Sequence, residues 1–240
     1  MGAPRVIKLL VISDIICPWC YIGQREMERA VEMCRDLPID VEIEYRPYRI
    51  YPSLKDGQFM EKRPWYEERF GKDKTQEMER VALQRADELG LNIKYMDGII
   101  TQTTLAHRML LKAWQLGGQA SQQAFLTVLF KGYFENLANI GDTEVLADMA
   151  VDAKLMTKEE AVSFLESTEC LDEVERMMNE ARKKGVNGVP FVVIDGKWAV
   201  SGGQTAEVYA QILKKLANSE PTTPRPTHAA PPAASVPLKA

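Results

Sequence analysis

Two cysteines separated by two residues, Cys17 and Cys20, are the side chains of this sequence best suited to covalent chemistry. A cysteine thiolate attacks disulfides, and a second thiol close by can displace the product from the mixed disulfide that forms. If a helix begins at this motif, Cys20 lies about one turn after Cys17. The run Cys17-Pro18-Trp19-Cys20 therefore predicts a redox-active dithiol.

A metal site is the main alternative for such a pair, because structural zinc is commonly held by two close pairs of ligands. The sequence has no second pair, since Cys34 and Cys170 are isolated and the histidines are His107 and His228. We therefore expect no bound metal. Cys34 falls on the apolar face of the predicted first helix and is expected to be a buried small hydrophobe, and a structural role is also expected for Cys170.

The elements around the cysteine pair are predicted to be a strand, a helix and a strand. Residues 5–14 are almost continuously apolar, which indicates a buried strand, and residues 40–46 alternate, which indicates a strand with one polar face. The helix between them is expected to begin at the cysteines and to end near Arg35. Because a helix N-terminus stabilises negative charge, a thiolate at Cys17 is favoured there.

Three neighbours of the cysteines also have predicted roles. Pro18 suits the first helical turn, where its missing N–H has little effect. Trp19 offers an apolar surface beside the sulfur. Asp14 either caps the start of the helix or accepts a proton from Cys20, and capping is the favoured interpretation.

The middle of the chain, from about residue 61 to residue 184, shows only helical periods. Helices are expected over residues 75–89, 104–116, 121–137 and 143–155, from Thr157 onward, and over residues 169–184. His107 is expected to make a structural hydrogen bond or to lie at the surface rather than to act as a base. Trp65, Tyr66 and Phe70 are expected to pack this block, and the alternative is that they line a substrate mouth.

Strands return near the end of the chain. Residues 191–194 and 198–200 are predicted to form a hairpin around the turn Asp195-Gly196, followed by a helix over residues 205–216. Residues 219–240 are rich in proline and alanine and are expected to be a disordered tail.

The overall composition is that of a globular protein that buries a core. The chain has 240 residues, 45% of them hydrophobic, and a net charge of −4. Nucleic-acid binding is not expected, because it requires a clustered basic surface. The apolar run over residues 6–16 is too short to cross a bilayer and lacks a signal-peptide cleavage site. We therefore expect a cytoplasmic protein with no membrane partner.

The segment Asp14-Ile15-Ile16-Cys17-Pro18-Trp19-Cys20-Tyr21-Ile22-Gly23 resembles the opening of the DsbA-like proteins of the FrnE and 2-hydroxychromene-2-carboxylate isomerase group, to which glutathione transferase kappa is related. Further resemblance is carried by Ala106-His107-Arg108, Gly185-Val186-Asn187-Gly188-Val189-Pro190-Phe191 and Val200-Ser201-Gly202-Gly203-Gln204. The resemblance covers roughly residues 5–217. It implies an α/β thioredoxin fold with an all-helical insertion, and often a homodimer. The thioredoxin-like domain would comprise residues 1–60 and 185–218, and the insertion residues 61–184.

The resemblance also implies the composition of the site. Pro190 would follow a cis peptide bond and lie against Cys17, and the backbone of Val189 would pair with a substrate or with glutathione. Glutathione is expected as a co-substrate, with no cofactor tightly bound. Beyond Trp19 and Val189, its contacts are expected near the start of the last helix, at Ser201, Gly202, Gly203 and Gln204.

Three functions follow from these observations. The first is a thiol-disulfide oxidoreductase linked to glutathione and acting on a disulfide-containing protein or small molecule. It is favoured because the kappa transferases and chromene isomerases have a serine where this chain has Cys17. The alternative is a glutathione-dependent isomerase or transferase that acts on a small conjugated metabolite. A redox-sensing or holdase-like binding protein is the non-enzymatic reading.

Overall fold

A computed structural model describes residues 4–55 and 57–218 of the chain. The predicted disordered tail, residues 219–240, lies outside the described residues. In chain order the elements are β1 (Arg5–Ser13), α1 (Pro18–Glu32), β2 (Ile39–Pro47), β3 (Phe59–Glu61), α2 (Lys62–Phe70), α3 (Lys72–Asp87), β4 (Ile99–Thr101), α4 (Thr104–Phe130), a π-helical turn (Lys131–Glu135), α5 (Thr143–Asp152), α6 (Lys158–Glu166), α7 (Leu171–Lys183), β5 (Phe191–Ile194), β6 (Trp198–Ser201) and α8 (Ala206–Ala217).

The main sheet combines strands from both ends of the chain, in the order β2-β1-β5-β6. β1 pairs with β2 in parallel and with β5 in antiparallel, and β5 and β6 form the predicted hairpin. β1 is central in the sheet, which explains its continuous apolar sequence: Ile7, Leu9 and Val11 are all buried. Helix α1 packs against α8, and α8 packs against β1.

Helix α4 covers the outer edge of β2 and blocks further strand pairing there. The Ile43 N–H donates to Gln119 Oε1 at 2.7 Å, and the Tyr45 N–H donates to Gln122 Oε1 at 2.7 Å. Gln122 Nε2 in turn donates to the Tyr45 carbonyl at 2.9 Å. Two side-chain amides therefore take the place of a neighbouring strand at an edge that would otherwise present unpaired backbone groups.

The middle of the chain is not entirely helical, in contrast to the prediction from the sequence. β3 and β4 form a second, two-stranded antiparallel sheet in which Phe59 faces Thr101. Each of these strands has three residues, which is too short for a two-residue alternation to be recognised, and their pairing partners are about forty residues apart. The helices α2 and α3 lie between the two strands.

The interruption between the predicted helices over residues 104–116 and 121–137 is present as a kink within α4. Gly117 has φ −150° and Gly118 has φ 58°, whereas the segments on either side are helical. The predicted helix ends are shifted by a few residues elsewhere, as at α1, which ends at Glu32 instead of near Arg35. Two helix starts have side-chain caps: Asp142 accepts from the Val145 N–H, and Thr157 forms a capping box with Glu160.

Within the described ranges, none of the helices combines the length and the apolar character that a membrane crossing requires.

Candidate active site

Cys17 occupies the N-cap position of α1, as predicted, and Pro18 is the first helical residue. The Cys17 N–H donates to the Asp14 carbonyl at 3.2 Å, and the Cys17 carbonyl accepts from the Cys20 N–H at 3.0 Å. Cys17 is therefore held at the positive end of the helix dipole, which stabilises a thiolate. Both cysteines are free thiols, and both are buried.

The peptide bond between Val189 and Pro190 is cis, as the family resemblance implies. The Val189 carbonyl faces the cysteine pair, since Cys17 Sγ donates to Val189 O over 3.6 Å. Helix α1 also contacts the proline, because a Cβ at Gly23 would lie 3.5 Å from Pro190 Cγ. The structure therefore brings Cys17, Val189 and Pro190 together from segments more than 170 residues apart.

The segment from Ser201 to Gln204 adjoins the same site from the other side. The Gly202 N–H donates to the Pro190 carbonyl at 2.9 Å, and Gln204 Nε2 donates to the Ser201 carbonyl at 3.1 Å. Gly203 lies against the indole of Trp19, since a Cβ at this glycine would be only 3.2 Å from Trp19 Cε3. The residues proposed for glutathione therefore border Pro190 and Trp19, and their binding of glutathione stays a prediction.

The start of α8, where a glutathione carboxylate is expected, already has a protein carboxylate beside it. Glu26 of α1 is fully buried, and its Oε2 accepts from the Ala206 N–H at 2.9 Å. Its second oxygen pairs with Arg85 of α3, and Arg29 lies 3.6 Å from Oε2. A bound glutamyl group would therefore have to use Ser201 to Gln204 rather than the Ala206 amide. Glu26 could not be predicted as part of the site, because an acidic residue in mid-helix ordinarily faces solvent.

The two cysteines of the motif have different environments. Burial raises the pKa of the Cys20 thiol well above its ordinary value, and a hydrogen bond and charge interaction with Cys17 raise it further. The Ser13 side chain and the Asp14 backbone lower this pKa to a smaller extent. Cys20 is therefore a protonated thiol at neutral pH, and it must lose its proton before it can attack a mixed disulfide at Cys17.

Asp14 does not cap α1, so the favoured interpretation of its role is wrong. Its Oδ2 accepts from the Ile50 N–H at 2.8 Å, and its Oδ1 lies 3.3 Å from His107 Nε2. The carboxylate is fully buried and is turned toward the segment after β2 and toward α4. The role of Asp14 as a proton acceptor for Cys20 stays a prediction.

His107 is buried, and the expectation of a structural hydrogen bond is confirmed. His107 Nε2 lies 2.9 Å from the Tyr48 carbonyl and 3.3 Å from Asp14 Oδ1. Because both of these groups are acceptors, Nε2 carries the proton and donates. His107 therefore fixes α4 against the segment that follows β2, next to the carboxylate nearest the cysteine motif.

An aromatic cluster of Tyr51, Trp65, Tyr66, Phe70 and Tyr95 lies beside the site. The ring centroids of Tyr51 and Trp65 are 4.4 Å apart, and those of Trp65 and Tyr66 are 5.3 Å apart. Trp65 and Tyr66 are buried, so the expected packing role is confirmed for them. Tyr51 and Tyr95 could not be predicted from the sequence, because they come from loops on either side of α2 and α3 and follow no helical or strand period.

The two isolated cysteines lie apart from this site. Cys34 is buried, as expected, and its Sγ donates to the Ala210 carbonyl over 3.7 Å. Cys170 is half-buried at the start of α7, with Sγ 3.6 Å from Gln115 Oε1. Across the part of the chain that the structure describes, no group of three or more His, Cys, Asp or Glu side chains could hold a metal ion.

The chain is similar to known proteins in both sequence and fold. The family model described as a DSBA-like thioredoxin domain matches residues 8–214. The chain is 24% identical to the uncharacterized protein YwbO of Bacillus subtilis, over 86% of this chain and 96% of that protein.

Two solved structures show the same fold. The crystal structure of a probable DsbA oxidoreductase from Streptomyces coelicolor superposes with a TM-score of 0.81 at 29% identity, covering 94% of this chain and 97% of that one. A 2-hydroxychromene-2-carboxylate isomerase superposes with a TM-score of 0.64 at 12% identity, covering 87% and 95%. These comparisons confirm the predicted α/β thioredoxin fold and the resemblance to the DsbA-like group. The chain belongs to the family of DSBA-like thioredoxin domains.

Proposed function

We propose that this protein is a thiol-disulfide oxidoreductase in which Cys17 is the attacking thiol and Cys20 the resolving thiol. The observation that carries the proposal is the position of Cys17, at the N-cap of α1 and 3.6 Å from Val189 O. The helix start favours the thiolate, and the backbone beside Pro190 offers a place for an extended substrate segment. The similarity to the Streptomyces coelicolor protein supports the same reaction class.

The reaction consists of two displacements at sulfur. The Cys17 thiolate attacks one sulfur of the substrate disulfide, forming a mixed disulfide and releasing the first substrate thiolate. The Cys20 thiol then loses its proton, and its thiolate attacks Cys17 Sγ. The second substrate thiolate leaves, the substrate has gained two electrons, and the protein holds a Cys17–Cys20 disulfide. The same steps in reverse oxidise a substrate dithiol.

Glutathione is the proposed partner of the second half-cycle. One glutathione thiolate would attack the Cys17–Cys20 disulfide, and a second would release glutathione disulfide and restore both thiols. Ser201 and Gly203 are exposed, and Gly203 lies against Trp19, which supports a small thiol binding there. The cytoplasm, where glutathione keeps thiols reduced, is the proposed compartment.

Two serine variants test the dithiol mechanism. Cys17→Ser is expected to abolish reduction of insulin by glutathione in the presence of the protein. Cys20→Ser is expected to accumulate a mixed disulfide at Cys17, detected as added mass that a reductant removes. Full turnover by Cys20→Ser would overturn the mechanism, because no resolving thiol would then be needed.

A second candidate function, a glutathione-dependent isomerase or transferase, is supported by the aromatic cluster. Burial raises the pKa of the Tyr51 and Tyr95 phenols, and the charge of Cys17 raises both further. Phenol donors near the sulfur could stabilise an enolate formed when a thiolate adds to a conjugated carbonyl compound. Isomerisation of a conjugated enone with glutathione, without any disulfide exchange, would favour this candidate over the first.

A further inference from the structure

Arg69, near the end of α2, contacts two aromatic rings and, unlike the other described arginines, pairs with no oxygen atom among the described residues. Its guanidinium carbon lies 4.5 Å from the ring centroid of Trp65 and 5.7 Å from that of Tyr51. The side chain is exposed, and among the described residues no carboxylate lies within ion-pair distance of it. Every other arginine in residues 4–55 and 57–218 donates to, or pairs with, a carboxylate or carbonyl oxygen.

The two rings form a rigid support for this cation. Trp65 is buried and meets Tyr51 edge to face, with an interplanar angle of 71°. Tyr66 packs behind both rings, with its centroid 5.3 Å from Trp65 and 6.2 Å from Tyr51. Cation–π contact orients the guanidinium but does not satisfy its N–H donors as a carboxylate would. Those donors are therefore available to an anionic oxygen of a ligand.

The support is connected directly to the cysteine motif. Tyr51 follows Ile50, whose N–H donates to Asp14 Oδ2 at 2.8 Å. The Asp14 carbonyl accepts from the Cys17 N–H at 3.2 Å. Burial raises the pKa of the Tyr51 phenol, the charges of Cys17 and Asp14 raise it further, and Arg69 lowers it. One phenol is thus within electrostatic range of both the nucleophilic sulfur and the guanidinium.

We propose that Arg69, stacked on Tyr51 and Trp65, binds a carboxylate of the disulfide substrate and so gives the protein a preference for acidic disulfides. This inference rests on the proposed function, because it concerns the substrate of the same site. A planar guanidinium forms paired, charge-assisted hydrogen bonds with a carboxylate, which suits it to this role. The carboxylate could belong to glutathione or to an acidic side chain next to a disulfide in a protein.

Three small disulfides of similar size and different charge test the proposal. The reduced protein would be mixed with glutathione disulfide, with neutral bis(2-hydroxyethyl) disulfide and with cationic cystamine, and its oxidation followed by rapid-mixing fluorescence. For Arg69→Met we expect the rate constant with glutathione disulfide to fall about fivefold, the upper end of what one exposed charged contact contributes. The rate constant with the neutral disulfide should change less than about twofold, and the rate constant with cystamine should stay the same or rise.

Two further variants are matched controls. Arg69→Lys keeps the charge but not the paired donors, so it should recover part of the lost rate with glutathione disulfide. Arg80→Met removes an exposed arginine that pairs with Glu77 on α3, and it should change none of the three rates.

A pair of peptide disulfides that differ by one Glu-to-Gln change beside the cysteine identifies the source of the carboxylate. If Arg69→Met lowers the rate constant only with glutathione disulfide, the carboxylate belongs to glutathione. If it lowers the rate constant only with the Glu peptide, the carboxylate belongs to a protein substrate. Unchanged rates with both acidic substrates would overturn the proposal, as would an equal loss with the neutral disulfide. Failure of the wild type to react with any disulfide would instead refute the proposed function.

Discussion

The Cys17 thiol donates a hydrogen bond to the Val189 carbonyl over 3.6 Å, so the attacking sulfur and the backbone beside Pro190 are already in contact. Ionisation of Cys17 removes this donor, and the carbonyl then becomes free to accept from a backbone N–H of an extended substrate. Formation of the nucleophile and exposure of a binding group are therefore coupled at one pair of atoms. This coupling explains why the dithiol and the Val189-Pro190 segment need to be so close.

The reaction of Cys20 should be strongly pH-dependent. Burial raises its pKa well above the ordinary value of 9.0, so only a small fraction is thiolate at neutral pH. The rate of resolution of a mixed disulfide at Cys17 should therefore rise about tenfold per pH unit from pH ~7 to beyond pH ~9. Double-mixing experiments with an aromatic disulfide, whose second thiol is released only on resolution, measure this step.

The attack by Cys17 can be followed separately in Cys20→Ser as a control. Cys17 no longer raises the pKa of Cys20 once Cys17 is in a mixed disulfide, but burial still raises this pKa. A resolution rate that becomes constant below pH ~8 would show that another group, such as Asp14, removes the proton.

Much of this site could be predicted from the sequence because its signals are local. The position of Cys17 at a helix start follows from the strand before it and the helical period after it. The cis bond before Pro190 followed from a resemblance that a short motif carries. By contrast, the contacts of Asp14 with Ile50 and His107, and of Glu26 with Ala206, join segments far apart in the chain. No spacing rule reports such pairs, so a helix cap was the natural but wrong choice for Asp14.

Lys62 should reduce stability at neutral pH. Its ammonium group is buried without a hydrogen-bond partner, 4.2 Å from the ring centroid of Tyr133, and burial lowers its pKa to about 7. The unfolded state binds more protons than the folded state between pH ~7 and the ordinary value of 10.5, so this residue makes stability rise with pH in that window. Lys62→Met should increase the free energy of unfolding by about 1–3 kcal/mol at pH 7.

The advantage of Lys62→Met over the wild type should decrease as the pH rises from 7 to 9, because the folded wild type then holds a neutral amine. Urea unfolding at several pH values measures this difference. Lys94→Met, at an exposed position, is the control and should show no such trend. An equal or lower stability of Lys62→Met at pH 7 would mean that contact with the Tyr133 and Phe134 rings outweighs the cost of burial.

Two glycines of the site should respond differently to a methyl group. A Cβ at Gly203 would lie 3.2 Å from Trp19 Cε3, which is closer than ordinary contact, so Gly203→Ala should displace the indole beside Cys17. We expect a loss of about three- to tenfold in the rate of glutathione-driven disulfide reduction, typical of a slightly misplaced positioning group. Quenching of Trp19 fluorescence on oxidation should change as well.

Gly23→Ala is the matched control on the opposite side of the site. Its Cβ would meet Pro190 Cγ at 3.5 Å, which is an ordinary contact, and the residue lies within α1. Replacement of a helical glycine by alanine should stabilise the protein by about 0.5–1 kcal/mol, and the rate should change less than twofold. If Gly203→Ala retained the full rate, the indole would not be a positioning group.

The two glutamine side chains that cover the edge of β2, Gln119 and Gln122, should stabilise the protein by different amounts. Gln122 is buried and makes three hydrogen bonds, one to the Tyr45 N–H, one to the Tyr45 carbonyl and one to the Leu110 carbonyl at 3.3 Å. Gln122→Leu leaves the Tyr45 N–H and carbonyl without these partners, which should lower the free energy of unfolding by about 2–4 kcal/mol.

Gln119 offers the comparison, because it accepts only one hydrogen bond, from the Ile43 N–H, and is half-buried. Water can replace its side chain, so Gln119→Leu should lower the free energy of unfolding by about 1 kcal/mol or less. Urea unfolding gives both values, and faster hydrogen exchange at the Tyr45 amide in Gln122→Leu locates the effect. Equal losses in the two variants would mean that both positions contribute through helix packing, and that closure of the strand edge by Gln122 adds no stability.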